Sequence, residues 1–313
     1  KSDRARAILE RGNTFDAIAG ELIDKKRREG KAEKTLAKNN WALGFASPTI
    51  GSKPIATIGA PDVLAVLRSV EARGTHETAV RLRALIGQVF RYAIATGRAE
   101  IDPTFALRRA LTTPIVKHRP AIVEPVPFGA LLRAIGGYEG DPTTRIALQL
   151  LALTFVRPGE LRNAEWSEFD LDAAIWSIPA GRMKMRRPHR VPLAPQAVGL
   201  LRELRALTGH RRLIFPGLRS AERPISENTL NGALRRLGYS SDDMTAHGFR
   251  AAASSMLNES RKWSGDAIER QLAHADPDEV RRAYARADFW PERVEMMQWW
   301  ADRCDELRTK GRD

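Results

Sequence analysis

The sequence of 313 residues predicts a mainly α-helical protein in two parts, with a small antiparallel sheet in the second part. Apolar residues recur at helical spacing through most of the chain. Residues 112–127 contain four prolines and little periodicity, which is typical of a linker. Two short runs, 175–178 and 190–193, have the composition of strands. These features divide the chain into an N-terminal segment (1–12), a helical domain (13–111), a linker (112–126) and a larger domain (127–313).

The first part is predicted to be a small helical bundle. Apolar residues such as Phe15, Ile18 and Leu22 share one face of its first helix, and glycines follow the ends of three of its helices. The predicted helices cover residues 13–29, 33–44, 61–73 and 75–96.

The second part is predicted to be mixed, with helices around the two strands. The predicted helices cover residues 127–136, 142–155, 195–207, 226–237, 247–259, 264–273, 277–286 and 291–308. The last helix has an apolar stripe that could pack on its own domain or on a neighbouring subunit, and the sequence leaves both open. The stripe contains Val294, Met297, Trp300, Cys304 and Leu307, with Met296 and Trp299 beside it.

The charge of the chain favours a polyanionic partner such as nucleic acid. The chain has 51 basic and 38 acidic side chains, a net charge of +13, and arginine far outnumbers lysine. An arginine-rich composition from a GC-rich genome would also explain this balance. The single cysteine, Cys304, excludes a disulfide framework and a cysteine-rich zinc site. The sequence also lacks a phosphate-binding P-loop motif, metal-ligand spacing and a membrane-length apolar run, so we expect no cofactor, no metal and no membrane association.

Three short segments of the second part hold residues suited to phosphate chemistry. Arg157 follows an apolar helix and precedes Pro158, which fixes the local backbone. His247 and Arg250 are three residues apart, so both can face one anion from a helix. Tyr284 stands between arginines, and positive surroundings favour the phenolate that a nucleophile needs. Each segment alone is also consistent with an ordinary structural role.

The stretch between the two predicted strands is strongly basic and contains no acid. A solvated hairpin tip would explain it, but so many like charges repel each other without an anionic partner, which favours contact with DNA. The cations are Arg182, Lys184, Arg186, Arg187 and Arg190.

Taken in chain order, these residues resemble the R…K…HxxR…H…Y set of the tyrosine recombinases, also called phage integrases. The resemblance covers nearly the whole chain, and six matches in order are far more specific than any single motif. The matching positions are Arg157 with Glu160–Leu161 behind it, Lys184, His247, Arg250, His274 and Tyr284.

The resemblance implies a fold and a subgroup. Residues 13–111 would form a SAM-like helical core-binding domain, and residues 127–313 a mixed α+β catalytic domain. The segments RMKMRRPHRVPL and DFWPERVEMMQWWADRC look like the satellite-phage subgroup of prophages and genomic islands. Members of that subgroup usually carry an N-terminal arm-binding domain, which we expect to be absent from this chain.

The resemblance also implies a mechanism. Tyr284 would attack a DNA phosphate and form a 3′-phosphotyrosyl bond. Arg157 and Arg250 would hold the phosphate oxygens, and His274 would donate a further hydrogen bond to them.

Proton transfer is implied for two other residues. Lys184 would protonate the leaving 5′-oxygen, and His247 would act as general acid and base for the tyrosine. Glu160 would support a neighbouring catalytic side chain. The expected DNA-binding residues around the hairpin are Arg182, Arg186, Arg187, His189 and Arg190.

The expected activity is site-specific recombination that integrates or excises a mobile element. Its partners would be double-stranded DNA attachment sites, three further copies of the chain on DNA, and DNA-bending proteins, with a monomer possible when DNA is absent. The site of action would be the bacterial cytoplasm, at the nucleoid. The alternatives are relaxation of supercoils, as by a type IB topoisomerase, and non-catalytic DNA binding on the same scaffold.

Overall fold

The computed structural model describes residues 12–114, 120–274 and 288–310. The chain divides into two compact units, residues 1–117 and 118–313, and each unit has its own apolar core. The division falls inside the stretch that the sequence assigns to a linker.

Within residues 12–114, the first unit forms a four-helix bundle with short π and 3₁₀ turns between its second and third helices. Thr14 caps the first helix, because its hydroxyl oxygen accepts a hydrogen bond from the amide of Ala17 at 3.4 Å. Phe15 and Phe90 are fully buried in the core, with ring centroids 6.4 Å apart. The helices are α1 (Phe15–Arg28), α2 (Glu33–Leu43), α3 (Ala60–Glu71) and α4 (His76–Ala95).

The second unit is built from helices that often begin with a proline. Proline suits the first helical position, where its missing N–H has no intrahelical partner to lose. The described helices are α5 (Pro125–Gly136), α6 (Pro142–Thr154), α7 (Pro158–Arg162), α8 (Pro195–Thr208), α9 (Thr229–Arg236), α10 (Gly248–Ser260), α11 (Gly265–Gln271) and α12 (Trp290–Thr309). The helix predicted over 277–286 lies outside the described residues.

A three-stranded antiparallel sheet, in the order β1-β2-β3, packs beside these helices. Trp176 pairs with Val191 and Ile178 with His189, and all four side chains are buried. A separate two-stranded hairpin follows α8. The strands are β1 (Phe169–Asp170), β2 (Ile175–Ile178), β3 (His189–Pro192), β4 (Pro216–Gly217) and β5 (Ser220–Pro224).

The predicted fold class, mainly α with a small antiparallel sheet, is confirmed. The sequence did not predict β1, the β4–β5 hairpin or α7, because each is too short to show a period. Across the three described ranges, no helix is both long and apolar enough to cross a membrane.

Helix α12 packs on its own unit, which answers a question that the sequence left open. Its buried face contacts α5 and α6, and Val294 departs from the predicted stripe because 44% of its surface is exposed. The approach to α5 is very close at Gly129, where a side chain would overlap the carbonyl oxygen of Leu307. The buried residues of α12 include Met296, Met297, Trp300, Cys304 and Leu307.

We expect Gly129→Ala to lower the free energy of unfolding by about 1–3 kcal/mol, because α5 and α12 must separate to admit the methyl group. Chemical denaturation followed by tryptophan fluorescence measures the change. The matched control is Gly199→Ala in α8, where no heavy atom lies within 4 Å of an added Cβ. Its better helix propensity should raise stability by about 0.5–1 kcal/mol. A Gly129→Ala protein as stable as wild type would contradict the close packing.

Candidate active site

Arg157 is fixed at the junction between α6 and α7. Phe155 ends α6 in a left-handed conformation (φ 38°), and Arg157 is the residue before Pro158, the first residue of α7. Glu160, only 5% exposed, accepts hydrogen bonds from the Arg157 amide at 2.9 Å and from its Nη1 at 2.7 Å. Glu160 therefore caps α7 and orients the Arg157 guanidinium at the same time.

Arg250 lies in the first turn of α10 and is almost completely buried, with 4% of its surface exposed. Its Nη1 donates to the carbonyl oxygen of Phe155 at 2.8 Å, and its Nη2 donates to the carbonyl oxygen of Leu272 at 2.6 Å. Burial lowers the pKa of Arg250 to about 10, and the positive charge of Arg157 adds to the shift. The guanidinium is still charged at neutral pH.

The turn at 272–274 joins both arginines. It follows α11, and Ala273 adopts a left-handed conformation (φ 49°). The carbonyl oxygen of Leu272 accepts a hydrogen bond from Nη2 of Arg250, and that of Ala273 accepts one from Nη2 of Arg157 at 2.9 Å. Two guanidinium groups from different helix starts are therefore held by consecutive carbonyl groups.

His274 completes this turn and contacts Arg250. Its Nδ1 lies 2.7 Å from Oε2 of Glu269, and its Nε2 lies 3.2 Å from Nη2 of Arg250. A carboxylate only accepts hydrogen bonds, so Nδ1 carries the proton and Nε2 accepts from Arg250. His247, half-buried, precedes α10 by one residue and stands one turn before Arg250.

The connection between β2 and β3 carries the predicted hairpin cations. Lys184, Arg186 and Arg187 are exposed, and Arg186 adopts a left-handed conformation (φ 51°). The apolar Met185 between them is 47% exposed. The structure therefore brings together Arg157, Glu160, Arg250 and His274, and it puts Lys184 in an exposed connection.

Arg182 points inward from this connection. Its guanidinium donates to the Glu168 carboxylate and to the carbonyl oxygen of Glu160, and 19% of its side chain is exposed. Glu168 also accepts from the indole nitrogen of Trp176 at 2.9 Å. Arg182 thus ties the sheet to α7, a contact that the predicted role in DNA binding did not include.

His189 does not lie on the DNA-facing surface that the sequence predicted. It is 2% exposed, and its Nε2 lies 3.2 Å from the carbonyl oxygen of Gln271. Burial, together with the nearby charges of Arg293 and Arg270, lowers the pKa of His189 to about 3. The imidazole is therefore neutral at physiological pH, and its Nε2 donates to Gln271.

Arg190, the next residue of β3, points outward. Its guanidinium pairs with Asp288 and stacks over the Trp290 ring at 4.4 Å, and 49% of its side chain remains exposed. This position leaves it accessible to an anionic partner.

Three polar residues for which the sequence predicted no role lie behind this site: Gln271, Asp288 and Arg293. Arg293 is fully buried although it carries a charge. It precedes Met296 and Met297 by three and four residues, which is the spacing of the buried face of α12. That spacing could have identified Arg293. Gln271 and Asp288 show no comparable signal.

Tyr284, the predicted nucleophile, lies outside the described residues. Within the part of the chain that the structure does describe, no group of three or more His, Cys, Asp or Glu side chains could hold a metal ion.

Two family models match the chain, one for each unit. The model described as phage integrase central domain matches residues 15–110, and the model described as phage integrase family matches residues 130–290. The integrase of Enterobacteria phage P4 is 39% identical over 320 residues, covering 98% of this chain and 72% of the relative. Prophage integrase IntS of Escherichia coli K12 is 35% identical over 316 residues, covering 97% of this chain and 78% of the relative.

Solved structures with a similar fold are also integrases. A lambda integrase dimer bound to a COC′ core site matches with a TM-score of 0.66 at 19% identity, covering 88% of this chain and 96% of that chain. The Tn1549 transposon integrase in complex with a circular intermediate DNA matches with a TM-score of 0.70 at 14% identity, covering 90% of this chain and 98% of that chain.

The buried His189 predicts a specific loss of stability in mild acid. The unfolded chain binds a proton at His189 below about pH 6.5, whereas the folded chain resists protonation down to about pH 3. The stabilising effect is present above pH 6.5 and decreases as the pH falls. Between pH 7 and pH 5 we expect protonation of His189 in the unfolded chain to lower the free energy of unfolding by about 2 kcal/mol.

Denaturation of wild type and His189→Leu at both pH values measures this effect. The His189→Leu protein should lose about 2 kcal/mol less than wild type over that interval. His210→Gln, a change on the exposed surface, should keep the wild-type dependence. An identical pH dependence for wild type and His189→Leu would show that His189 is not buried in its neutral form.

Proposed function

Because the chain belongs to the phage integrase family, the tyrosine recombinases, we propose that it cuts and rejoins DNA at specific sites through a 3′-phosphotyrosyl bond to Tyr284. The observation that supports this most is the turn at 272–274, where Arg157, Arg250 and His274 meet. A phosphodiester needs charge neutralisation on its non-bridging oxygens before an oxygen nucleophile can attack it. Two guanidinium groups at one turn would provide that, with the His274 imidazole beside them.

In the proposed reaction the phenolic oxygen of Tyr284 attacks the phosphorus in line. The bond between phosphorus and the 5′-oxygen breaks, a proton goes to the leaving oxygen, and the DNA 3′ end stays attached to the enzyme. The new phosphodiester retains the energy of the old one, so resealing with another 5′-hydroxyl needs no nucleotide cofactor. Each guanidinium presents parallel N–H donors that match phosphate oxygens.

His274 would need a second proton to act as a phosphate donor. In the DNA-free chain its Nε2 accepts from Arg250, while Nδ1 is bonded to Glu269. As a donor at Nε2, the ring would carry protons on both nitrogens, with Nδ1 donating to Glu269 and Nε2 to the phosphate.

Lys184 is the proposed general acid for the leaving oxygen, and His247 the proposed acid and base for the Tyr284 proton. The exposed position of Lys184 suits contact with DNA that approaches the connection between β2 and β3. Arg186, Arg187 and Arg190 would bind the phosphate backbone around it.

The proposed partner is double-stranded DNA containing attachment sites. Strand exchange joins two duplexes, so four copies of the chain would assemble on them. A lambda integrase tetramer bound to a Holliday junction has a similar fold, with a TM-score of 0.67. DNA-bending proteins are proposed as accessory partners, and the DNA substrate implies action at the nucleoid in the bacterial cytoplasm.

Two related functions are less well supported. A type IB topoisomerase would relax supercoils with the same chemistry, and a regulatory protein would bind DNA without cutting it. The phage P4 and IntS relatives, at 39% and 35% identity over nearly the whole chain, are named as integrases. Recombination between two defined sites on a plasmid would distinguish strand exchange from relaxation.

The first test of this function uses a nicked suicide DNA substrate. After cleavage it releases a short strand that begins with the 5′-hydroxyl, and the covalent complex is trapped. Wild type should give a protein–DNA band that survives denaturation, and Tyr284→Phe should give none because it lacks the nucleophilic oxygen. Tyr239→Phe is the matched control and should give the wild-type band. An undiminished band with Tyr284→Phe would exclude Tyr284 as the nucleophile.

The second test examines the leaving group. Lys184→Ala should slow cleavage of ordinary DNA by about 100-fold or more, because a general acid commonly contributes that much. On DNA with sulfur in place of the bridging 5′-oxygen, the loss should be much smaller, since a thiolate leaves without protonation. Arg187→Ala, on the same hairpin, should slow both substrates equally. Equal slowing by Lys184→Ala would remove Lys184 from the proposed role.

A further inference from the structure

We propose that Arg293 is a positioning residue for the phosphate-binding arginines, because it holds Gln271 and so fixes the turn whose carbonyl oxygens orient Arg157 and Arg250. The proposal rests on the proposed function, since it assigns a purpose to a group that lies behind the same site. Arg293 would not touch DNA.

The guanidinium of Arg293 has a hydrogen-bond acceptor for each of its five N–H groups. Nε and Nη2 donate to Oε1 of Gln271 at 3.0 and 2.7 Å. Nη1 donates to the side-chain Oδ1 and the carbonyl oxygen of Asp288 at 3.0 and 3.2 Å. The second N–H of Nη2 donates to the carbonyl oxygen of Arg190 in β3. One buried side chain therefore joins the end of α11, the start of α12 and the sheet.

Gln271 is held from two directions. Arg293 binds its side-chain oxygen, and Nε2 of His189 binds its backbone oxygen. Gln271 is 1% exposed and is the last residue of α11. We call His189, Gln271, Asp288 and Arg293 the Arg293 cluster.

The Arg293 cluster leads directly into the candidate active site. The residue after Gln271 is Leu272, whose carbonyl oxygen binds Arg250, and the next is Ala273, whose carbonyl oxygen binds Arg157. Consecutive α-carbons are only about 3.8 Å apart, so a displacement of Gln271 must move both acceptors. The cluster thus determines where the two guanidinium groups point.

Charge within the cluster favours arginine at position 293. Burial opposes ionisation of Asp288, but hydrogen bonds and positive charges from Arg190, Arg293 and Arg270 outweigh it and hold the pKa of that carboxyl below its usual value. A lysine could keep the ion pair with Asp288. Its three donors on one nitrogen could not also span Gln271 and Arg190.

The cluster also binds the chain on both sides of residues 275–287. Gln271 precedes that segment and Asp288 follows it, and Tyr284 stands four residues before Asp288 in the sequence. The same guanidinium therefore fixes the chain before and after the proposed nucleophile.

The test compares Arg293→Lys with wild type in single-turnover cleavage of the suicide substrate. We expect cleavage to slow by about 10- to 100-fold, because small misplacements of catalytic groups cost rate factors of this size. DNA affinity should change by less than about threefold, since Arg293 is buried and phosphate contacts dominate affinity. Leu307→Ala, at the far end of α12, is the matched control for weakened docking of this helix. It should lower the melting temperature without slowing cleavage by the folded protein.

A second substrate separates positioning from a general structural defect. In a methylphosphonate at the scissile position, a methyl group replaces one non-bridging oxygen and removes the negative charge that the arginines bind. Relative to wild type on the same DNA, the defect of Arg293→Lys should shrink to less than about threefold. A loss of folded enzyme would slow both substrates by the same factor, and that result would overturn the proposal.

Wild type provides the reference that distinguishes the two hypotheses. If wild type forms no covalent complex, the proposed function fails. If wild type cleaves and Arg293→Lys cleaves ordinary DNA equally fast, only the positioning role fails. Should Arg293→Lys not fold, His189→Leu tests the same cluster from the other side of Gln271. It should slow cleavage of ordinary DNA by about threefold or more and spare the methylphosphonate, and wild-type rates on both would overturn the proposal.

Discussion

A guanidinium group that is removed from water must find acceptors for its N–H groups, and the arginines in and behind the candidate active site use backbone carbonyl groups as well as polar side chains for this. Arg250 uses Phe155 and Leu272, Arg157 uses Ala273, and Arg293 uses Asp288 and Arg190. The carbonyl groups that hold Arg250 and Arg157 lie at or just after helix ends, since the last turn of a helix leaves its carbonyl oxygens without intrahelical partners. The helix ends therefore determine where these two guanidinium groups are held.

Two of these helix ends are marked by non-glycine residues in the left-handed conformation. Phe155 ends α6 and Ala273 follows α11, with φ values of 38° and 49°. This conformation costs of the order of 1 kcal/mol for a residue with a Cβ. The charge-assisted hydrogen bonds that their carbonyl oxygens accept offset the cost. Local strain and buried charge thus occur at the same points of the chain, beside the residues that the proposed reaction uses.

The sequence predicted the helices well, because each long helix has an apolar period and a glycine or proline near its ends. Through the resemblance to the tyrosine recombinases, it also pointed to Arg157, Arg250 and His274, which meet at one turn of the structure. The sequence did not predict contacts between side chains that are distant along the chain, or the bounds of elements that are too short to show a period. Strand β3 begins at His189, one residue before the predicted start, and alternate residues of a strand share one face, so His189 lies on the same face as the buried Val191. His189 therefore points into the core and Arg190 outward. The partner of Arg182 is Glu168, fourteen residues earlier, on an element without a period.

Because the arginines differ in exposure, we expect the capture of DNA by the proposed enzyme to depend on salt more than the binding of the reacting phosphate does. Counterions gather around accessible cations, and their release makes DNA binding sensitive to ionic strength. Arg250, at 4% exposure, is shielded from that exchange, whereas Arg190 has 49% of its side chain in solvent and Arg186 and Arg187 are also exposed. Raising the salt concentration would thus weaken the capture of DNA at the connection between β2 and β3. Once DNA is bound, the phosphate would meet arginines that have already lost most of their surrounding ions and water.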